Sequence, residues 1–150
     1  MIWYCDSSAL VKRYVRENGS RWFREQISHH HLATSVLAIA EIPAALSRRQ
    51  RDGTLSIFEF YRSRLQLTHN LQAGQYTLLP STLYVIEQAA LLIYRHPLAG
   101  YDAVHLATAI HHLRTGGIDA NQFYFLTADL QLHRAAEAEG LKTENPNNHP

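Results

Sequence analysis

The sequence predicts an α/β protein, a three-layer sandwich in which a central parallel sheet is flanked by helices. Short apolar runs alternate along the chain with longer segments of helical periodicity, which is typical of strand–helix–strand units. The runs are apolar at nearly every position, as expected of strands that are covered on both faces. The length of 150 residues predicts one domain, which can bury about 68–70% of the surface of its unfolded chain.

The first half of the chain contains two apolar runs and four segments with helical spacing. In order, they predict a strand over 2–5, a helix through residue 14, a helix over 20–27, a strand over 32–36, a helix from there to about 51, and an amphipathic helix over 56–71. Asp52 and Gly53 close the longer helix. Pro43 lies inside it and predicts a bend or an early break, because proline lacks the amide hydrogen that a helix interior uses.

The second half repeats the alternation, with proline and glycine at the breaks. It predicts a strand over 76–79 that stops at Pro80, a helix capped by Ser81 that reaches about 94, a helix over 101–114, a strand over 123–126, a helix over 129–139, and a last strand over 141–143. The domain is therefore predicted to span residues 1–143. Residues 144–150 are predicted to be a polar C-terminal tail.

Composition excludes several classes of protein. The 14 basic and 13 acidic side chains give a formal net charge of +1, which provides no argument for a polybasic protein. A single cysteine, Cys5, cannot form an internal disulfide. The apolar opening is too short for a signal peptide, and no apolar run reaches the roughly 18 residues of a membrane span. We therefore expect a cytoplasmic protein with no membrane association.

Four carboxylates occupy stretches of sequence in which burial would be costly. Asp6, Glu41, Asp102 and Asp129 are each the only charged side chain in an apolar neighbourhood. A buried ionised carboxylate must be paired or must bind a metal, and none of these stretches supplies a lysine or an arginine. Glu87 meets the same criterion. Its neighbours are polar, however, and we expect it to lie at the surface.

The predicted topology brings these four acids together. Asp6 and Asp129 directly follow strands, Asp102 opens a helix, and Glu41 lies on an apolar helix face that should point inwards. Four converging carboxylates repel one another, so the site needs a cation, and oxygen ligands favour Mg²⁺ or Mn²⁺. Such an ion can activate water and stabilise charge on a phosphodiester. The expected chemistry is phosphodiester hydrolysis.

Helix capping is the alternative explanation for three of the acids. Aspartate at a helix start stabilises it by about 0.5–2 kcal/mol relative to alanine. Capping cannot explain Glu41, which is predicted inside its helix. An Asp→Asn substitution separates the two interpretations, because asparagine caps about as well as aspartate but is a poor ligand for a hard cation.

Four motifs in order make the chain similar to the PIN-domain family, and specifically to the VapC toxins of bacterial and archaeal toxin–antitoxin pairs. Tyr4–Tyr14 resembles the first-strand motif, Ala40–Leu46 the acidic helix, Tyr101–Ala109 the third acidic motif and Phe125–Asp129 the fourth. The resemblance implies a Mg²⁺- or Mn²⁺-dependent endoribonuclease, usually dimeric and inhibited by a cognate antitoxin. It also implies that the four acids form a metal site, with Thr127 as a supporting catalytic hydroxyl and Ser8 close to the metal.

Two other function classes remain open. A PIN-like module could bind RNA or protein without cutting, although a pure binder gains nothing from four uncompensated carboxylates. A phosphatase with Asp6 as nucleophile is disfavoured, because Ser8 stands where such sites place a second acid.

Further side chains predict a substrate surface and a partner surface. Five basic residues could form a rim that binds RNA phosphates, or could simply lie on solvated helix faces: Lys12, Arg13, Arg16, Arg48 and Arg49. The helix over 56–71 has more apolar surface than one core stripe requires, which favours a dimer mate or an antitoxin segment as its partner. His105 follows Asp102 by one turn and is expected to pack beside Leu106 and Ala109 rather than to contact the site.

Overall fold

A computed structural model of residues 1–150 shows a five-stranded parallel sheet with helices on both faces, which confirms the predicted three-layer α/β architecture. The strands are β1 (Ile2–Cys5), β2 (His31–Ser35), β3 (Thr77–Leu79), β4 (Phe123–Leu126) and β5 (Thr143–Glu144). Their order across the sheet is β3-β2-β1-β4-β5, and every neighbouring pair is parallel. The strand that comes first in the sequence is therefore the central one.

Seven α-helices connect and cover the strands: α1 (Ser7–Leu10), α2 (Ser20–Gln26), α3 (Ala38–Arg51), α4 (Ile57–Gln72), α5 (Leu83–Arg95), α6 (Gly100–Thr115) and α7 (Leu130–Ala138). Ser56 and Glu59 start α4 with a reciprocal capping box. The cap of α5 is Thr82 rather than the predicted Ser81, because the chain stays extended for two residues after Pro80. None of these helices is long and apolar enough to cross a membrane.

The core is divided into two clusters by the sheet. Successive side chains of a strand point to opposite faces, so Trp3 and Cys5 join one cluster whereas Tyr4 joins the other. The first cluster packs against α1, α3 and α4, and the second against α5, α6 and α7. Each cluster contains 16 buried residues, so both faces of the sheet are covered by a hydrophobic core.

Helix α3 contains Pro43 without the early break that was one of the two predicted outcomes. It runs continuously from Ala38 to Arg51. Ile42 and Leu46 are almost completely buried on its inner face. Packing of these side chains against the first core cluster holds the helix together despite the missing amide hydrogen.

Residues 144–150 are polar as expected, but they are packed against the domain. Glu144 belongs to β5, which lies at 143–144 and not at 141–143. Asn145 is buried, and the rings of His149 and Trp22 stack at a centroid distance of 4.0 Å. Gly19 allows the close approach of Pro146, because its φ is +76° and a Cβ there would lie 2.2 Å from the carbonyl oxygen of Pro146. The segment thus forms part of the domain surface.

Candidate active site

The site is built where the neighbouring strands β1 and β4 end. Cys5 and Leu126 are register partners, and the amide of Asp6 continues the ladder by donating to the carbonyl of Leu126 at 3.1 Å. This pairing places the next residues of the two strands, Asp6 and Thr127, side by side. The Thr127 hydroxyl donates to Oδ2 of Asp6 at 2.7 Å.

Asp6 is fixed in one orientation by three groups. Its side chain caps α1 by accepting from the amide of Ala9 at 2.8 Å, and it also accepts from the hydroxyls of Ser8 and Thr127. The Ser8 hydroxyl in turn accepts from the amide of Ala128 at 2.8 Å. Burial raises the pKa of Asp6, while the neighbouring His105 and the hydrogen bonds limit that rise. Both hydroxyls that the sequence assigned to this region therefore contact the carboxylate.

His105 holds Glu41, a role that sequence reasoning missed. Its Nε2 lies 2.6 Å from Oε2 of Glu41, and its Nδ1 lies 3.0 Å from the hydroxyl of Tyr4. Burial raises the pKa of the Tyr4 hydroxyl well above its ordinary value, so the hydroxyl keeps its proton and can donate it to Nδ1. In this tautomer Nε2 carries the hydrogen and donates it to the carboxylate. The prediction that His105 only packs in the core was wrong.

Asp102 and Asp129 complete the acidic group. Asp102 is partly buried in the first turn of α6, and its pKa is raised to about 6, first by burial and then by the negative charges of Asp129 and Asp6. Glu41 adds to this rise, and His105 opposes it. Asp129 is exposed, and it caps α7 by accepting from the amide of Leu132 at 2.8 Å. Each of the other three acids therefore raises the pKa of Asp102, so all four predicted acids are close enough to interact electrostatically.

Capping accounts for only part of this arrangement. Asp6 and Asp129 do cap helices, whereas Asp102 makes no capping hydrogen bond and Glu41 accepts from His105 instead. None of these acids contacts a lysine or an arginine, and the only basic side chain that contacts any of them is His105, at Glu41. The negative charge is thus left without a lysine or arginine partner.

These carboxylates fit a hard divalent cation in donor type and in charge. They are not drawn together around one: no three histidine, cysteine, aspartate or glutamate side chains lie close enough in this structure to hold a metal ion. The structure therefore shows an acidic cluster with suitable ligands. It does not show a closed coordination sphere.

A cleft of about 640 Å³ opens at this cluster. Ser8, Glu41 and Asp129 line it together with Arg48 and Arg49. Arg48 is exposed, while Arg49 is half-buried and paired with Glu17, with a nitrogen–oxygen distance of 2.6 Å. The cleft is therefore acidic at the strand ends and basic at its α3 side.

Lys12 fits neither of the two alternatives given for it, a phosphate-binding rim or a solvated helix face. It is 2% exposed, and its Nζ donates to the Glu17 carboxylate at 2.9 Å, to the carbonyl of Asn18 at 2.7 Å and to Oδ1 of Asn147 at 2.7 Å. All three ammonium hydrogens are therefore used. Lys12 joins the loop before α2 to the C-terminal segment.

The other two basic residues of the predicted rim lie elsewhere. Arg13 and Arg16 line a separate pocket, and Arg13 donates to the hydroxyl of Tyr76 at 2.8 Å. The five basic residues therefore do not form one continuous rim, and of the exposed or half-buried ones only Arg48 and Arg49 line the acidic cleft.

Helix α4 does expose an apolar surface. Its solvent-facing side chains include Phe58 and Leu65, each 73% exposed, with Ile57 and Tyr61 more than half exposed. Leu67 of the same helix is buried and belongs to the first core cluster. The helix therefore has apolar area beyond what the domain itself covers.

The fold and the cleft together define an α/β protein with a carboxylate-lined candidate active site at the carboxyl ends of a parallel sheet. The model of the PIN domain family matches residues 3–138, and the chain belongs to this family. PIN domains are generally nucleases, so membership in the family supports the assignment of this chain as a hydrolase of nucleic acids. A comparison with curated proteins gives no match.

Solved structures of toxin–antitoxin complexes share the fold. A toxin–antitoxin complex from Klebsiella pneumoniae has a chain that is 15% identical, with a TM-score of 0.61 over 95% of this chain and 96% of that chain. VapBC2 from Rickettsia felis, bound to a DNA fragment from its promoter, is 12% identical, with a TM-score of 0.60 over 97% and 98%. FitAcB from Neisseria gonorrhoeae is 16% identical, with a TM-score of 0.61 over 97% and 98%.

Proposed function

We propose that this protein is a metal-dependent endoribonuclease that hydrolyses RNA phosphodiester bonds, and that it is the toxin of a toxin–antitoxin pair. The observation that carries the proposal is a group of four acids that interact electrostatically, two of which line the cleft, with a histidine as their only basic partner. Uncompensated carboxylates of this kind are costly to the fold unless a cation binds them. Membership in the PIN domain family supports the nuclease assignment.

Each residue of the site has a distinct task in this proposal. Asp6, Glu41, Asp102 and Asp129 would hold Mg²⁺ or Mn²⁺, which supplies an activated water and stabilises charge on the phosphate when bound. Thr127 and Ser8 keep the Asp6 carboxylate in place.

Two side chains beside the acids, His105 and Arg48, also have roles in this proposal. His105 holds the Glu41 carboxylate through its hydrogen bond. Arg48 is exposed at the cleft and can bind a phosphate of the strand, because guanidinium matches phosphate with two parallel hydrogen bonds.

A cognate antitoxin and a second copy of the chain are the proposed protein partners. The structural neighbours named above include toxin–antitoxin complexes of similar fold. The exposed apolar side chains of α4 provide a surface that such a partner could cover. The proposed location of this activity is the cytoplasm.

A second candidate function is a PIN-like module that binds RNA or protein without cutting it. The observation in its favour is that no three acidic side chains are close enough to hold an ion in this structure. The two candidates differ in one measurable property, namely whether the protein cleaves the RNA that it binds.

The test compares the protein with its Asp6→Asn variant on three substrates: a single-stranded RNA, a single-stranded DNA of the same sequence, and a structured RNA. Asparagine retains the α1 cap, so the variant should fold. We expect RNA cleavage with Mg²⁺ or Mn²⁺, none with chelator, and a loss of at least 100-fold in the variant, while a Glu87→Gln control cuts normally. Binding without cleavage would favour the second candidate, and cleavage in chelator would refute the metal mechanism.

A further inference from the structure

A second polar pocket lies between the turn after α1 and helix α4. Its volume is about 240 Å³, and its polar lining is dominated by arginine side chains: Arg13, Arg16, Arg24 and Arg62. It shares no lining residue with the acidic cleft. We propose that this pocket is a binding site for a phosphoryl group, separate from the candidate active site.

The charge of the pocket is strongly positive. Four guanidinium groups face one carboxylate, that of Glu59. Glu59 is already engaged, because it accepts from the amide of Ser56 in the capping box at 2.9 Å. That hydrogen bond, followed by smaller effects that include the charge of Arg16, lowers the pKa of Glu59. The carboxylate therefore stays ionised and in use at the start of α4, and the lining keeps an excess of three positive charges in a chain whose total is +1.

Two of the arginines are held in place and two are free. Arg24 donates to the carbonyls of Lys12 and Val15 at 3.2 and 3.1 Å, and Arg13 donates to the hydroxyl of Tyr76 at 2.8 Å. Arg16 and Arg62 are exposed and take part in none of the side-chain hydrogen bonds or ion pairs of the structure. A guanidinium has five N–H donors, so even the two fixed arginines keep donors for a ligand.

This combination suits a phosphoryl group in particular. Arginine binds phosphate with a planar fork of donors, and several guanidinium groups together match the negative charge of free phosphate or of backbone phosphodiesters. The pocket is smaller than the roughly 300–1,000 Å³ of sites for drug-sized ligands. It can therefore enclose one charged group and not a whole nucleotide. The group could come from free phosphate or from the backbone of a nucleic acid strand.

This inference is independent of the proposed ribonuclease mechanism. The pocket contains no metal ligand of the candidate active site, and its ligand would bind equally with or without a divalent ion. All measurements can therefore be made in chelator on the intact chain, where a failure of the nuclease proposal has no effect on the result.

The experiment compares two double variants that remove the same charge. Arg16→Gln with Arg62→Gln removes the two free arginines of the pocket. Arg64→Gln with Arg134→Gln removes two exposed arginines that do not line it. The probes are inorganic phosphate, titrated by calorimetry at constant ionic strength, and a single-stranded RNA and DNA oligonucleotide of the same sequence, titrated at several salt concentrations.

We expect saturable phosphate binding that weakens at least tenfold in the pocket variant and less than twofold in the control. If the phosphoryl group belongs to a nucleic acid strand, the pocket variant also lowers the slope of log affinity for the oligonucleotide against log salt concentration by about 1–2. If the slope is unchanged while phosphate binding is lost, the source is free phosphate. Equal losses in both variants, or no saturable phosphate binding by the wild-type protein together with an unchanged slope in the pocket variant, would overturn the proposal.

Discussion

Replacing Asp102 by asparagine should stabilise the protein in the absence of metal. The pKa of Asp102 is raised from an ordinary value of 3.8 to about 6, and one pKa unit corresponds to about 1.4 kcal/mol. Keeping Asp102 ionised in the folded state therefore costs at most about 3 kcal/mol. The side chain is partly exposed, so screening by water reduces this value, and we expect a gain of about 1–3 kcal/mol from Asp102→Asn.

The gain should depend on pH with a defined sign. Below pH about 4, Asp102 is protonated in both the folded and the unfolded protein, and it makes no difference to stability. As the pH rises from about 4 to about 6, the unfolded chain loses this proton before the folded one does, so the wild-type protein loses stability. Above pH about 6 the full cost is present. The advantage of the variant should therefore appear across this interval and then stay constant.

Thermal unfolding in chelator at pH 4, 6 and 8 measures this effect. A gain of about 1–3 kcal/mol corresponds to a rise of about 3–10 °C in Tm for a domain of this size. Glu87→Gln is the matched control, because it neutralises an exposed acid of α5 and should change Tm little at any pH. An Asp102→Asn variant that is no more stable than wild type at pH 8, or whose advantage is largest at pH 4, would refute the electrostatic interaction of the four acids.

Two further substitutions test the contacts around the site. His105→Phe removes the partner of Glu41 and should cost about 1–3 kcal/mol of unfolding free energy, with a 10–100-fold loss of Mg²⁺ affinity if Glu41 binds the ion. Thermal unfolding and Mg²⁺ titration measure these two effects, and the exposed-acid control Glu87→Gln should retain the affinity. Equal Mg²⁺ binding by wild type and His105→Phe would contradict the role of His105. Lys12→Met removes the ammonium that Glu17 and Asn147 share, and it should lower the free energy of unfolding by about 2–4 kcal/mol in denaturant unfolding. An unchanged free energy of unfolding would contradict the buried role of Lys12.

Most of the fold could be predicted from apolar periodicity, because the strands are buried on both faces. Strands β1 and β4 have the predicted bounds, β2 is shifted by one residue to 31–35, and β3 begins one residue later than predicted. Where the prediction failed, a tertiary contact decided the outcome. Packing of Ile42 and Leu46 outweighs the missing hydrogen bond at Pro43.

The polar end of the chain shows the same limit. Residues 144–150 contain few apolar side chains, so periodicity gives no signal that they are packed. Their attachment depends on a lysine and a tryptophan far away in the sequence: Asn147 receives its hydrogen bond from Lys12 across 135 positions. A contact of this kind cannot be found from one sequence.

The acids of the site were identifiable because each stands alone among apolar residues. Their partners were not. His105 contacts Glu41 across 64 positions and Tyr4 across 101, and only its spacing of one turn from Asp102 indicates that it could reach the site. Lys12 looked like a surface cation next to Arg13, because nothing in the local sequence shows that its side chain turns inwards.

The sheet order has a consequence for how the protein is made. Strand β1 is synthesised first but lies in the centre of the sheet, between β2 and β4. Asp6 meets the Thr127 hydroxyl only after another 121 positions have been translated. A ribosome-bound fragment that ends before β4 therefore has a central strand that can pair with β2 on one edge only, and it lacks Asp129. On the proposed function, the ribosome and its messenger face an assembled cutting site only once nearly the whole domain has emerged, so the order of strands delays toxicity until synthesis is almost complete.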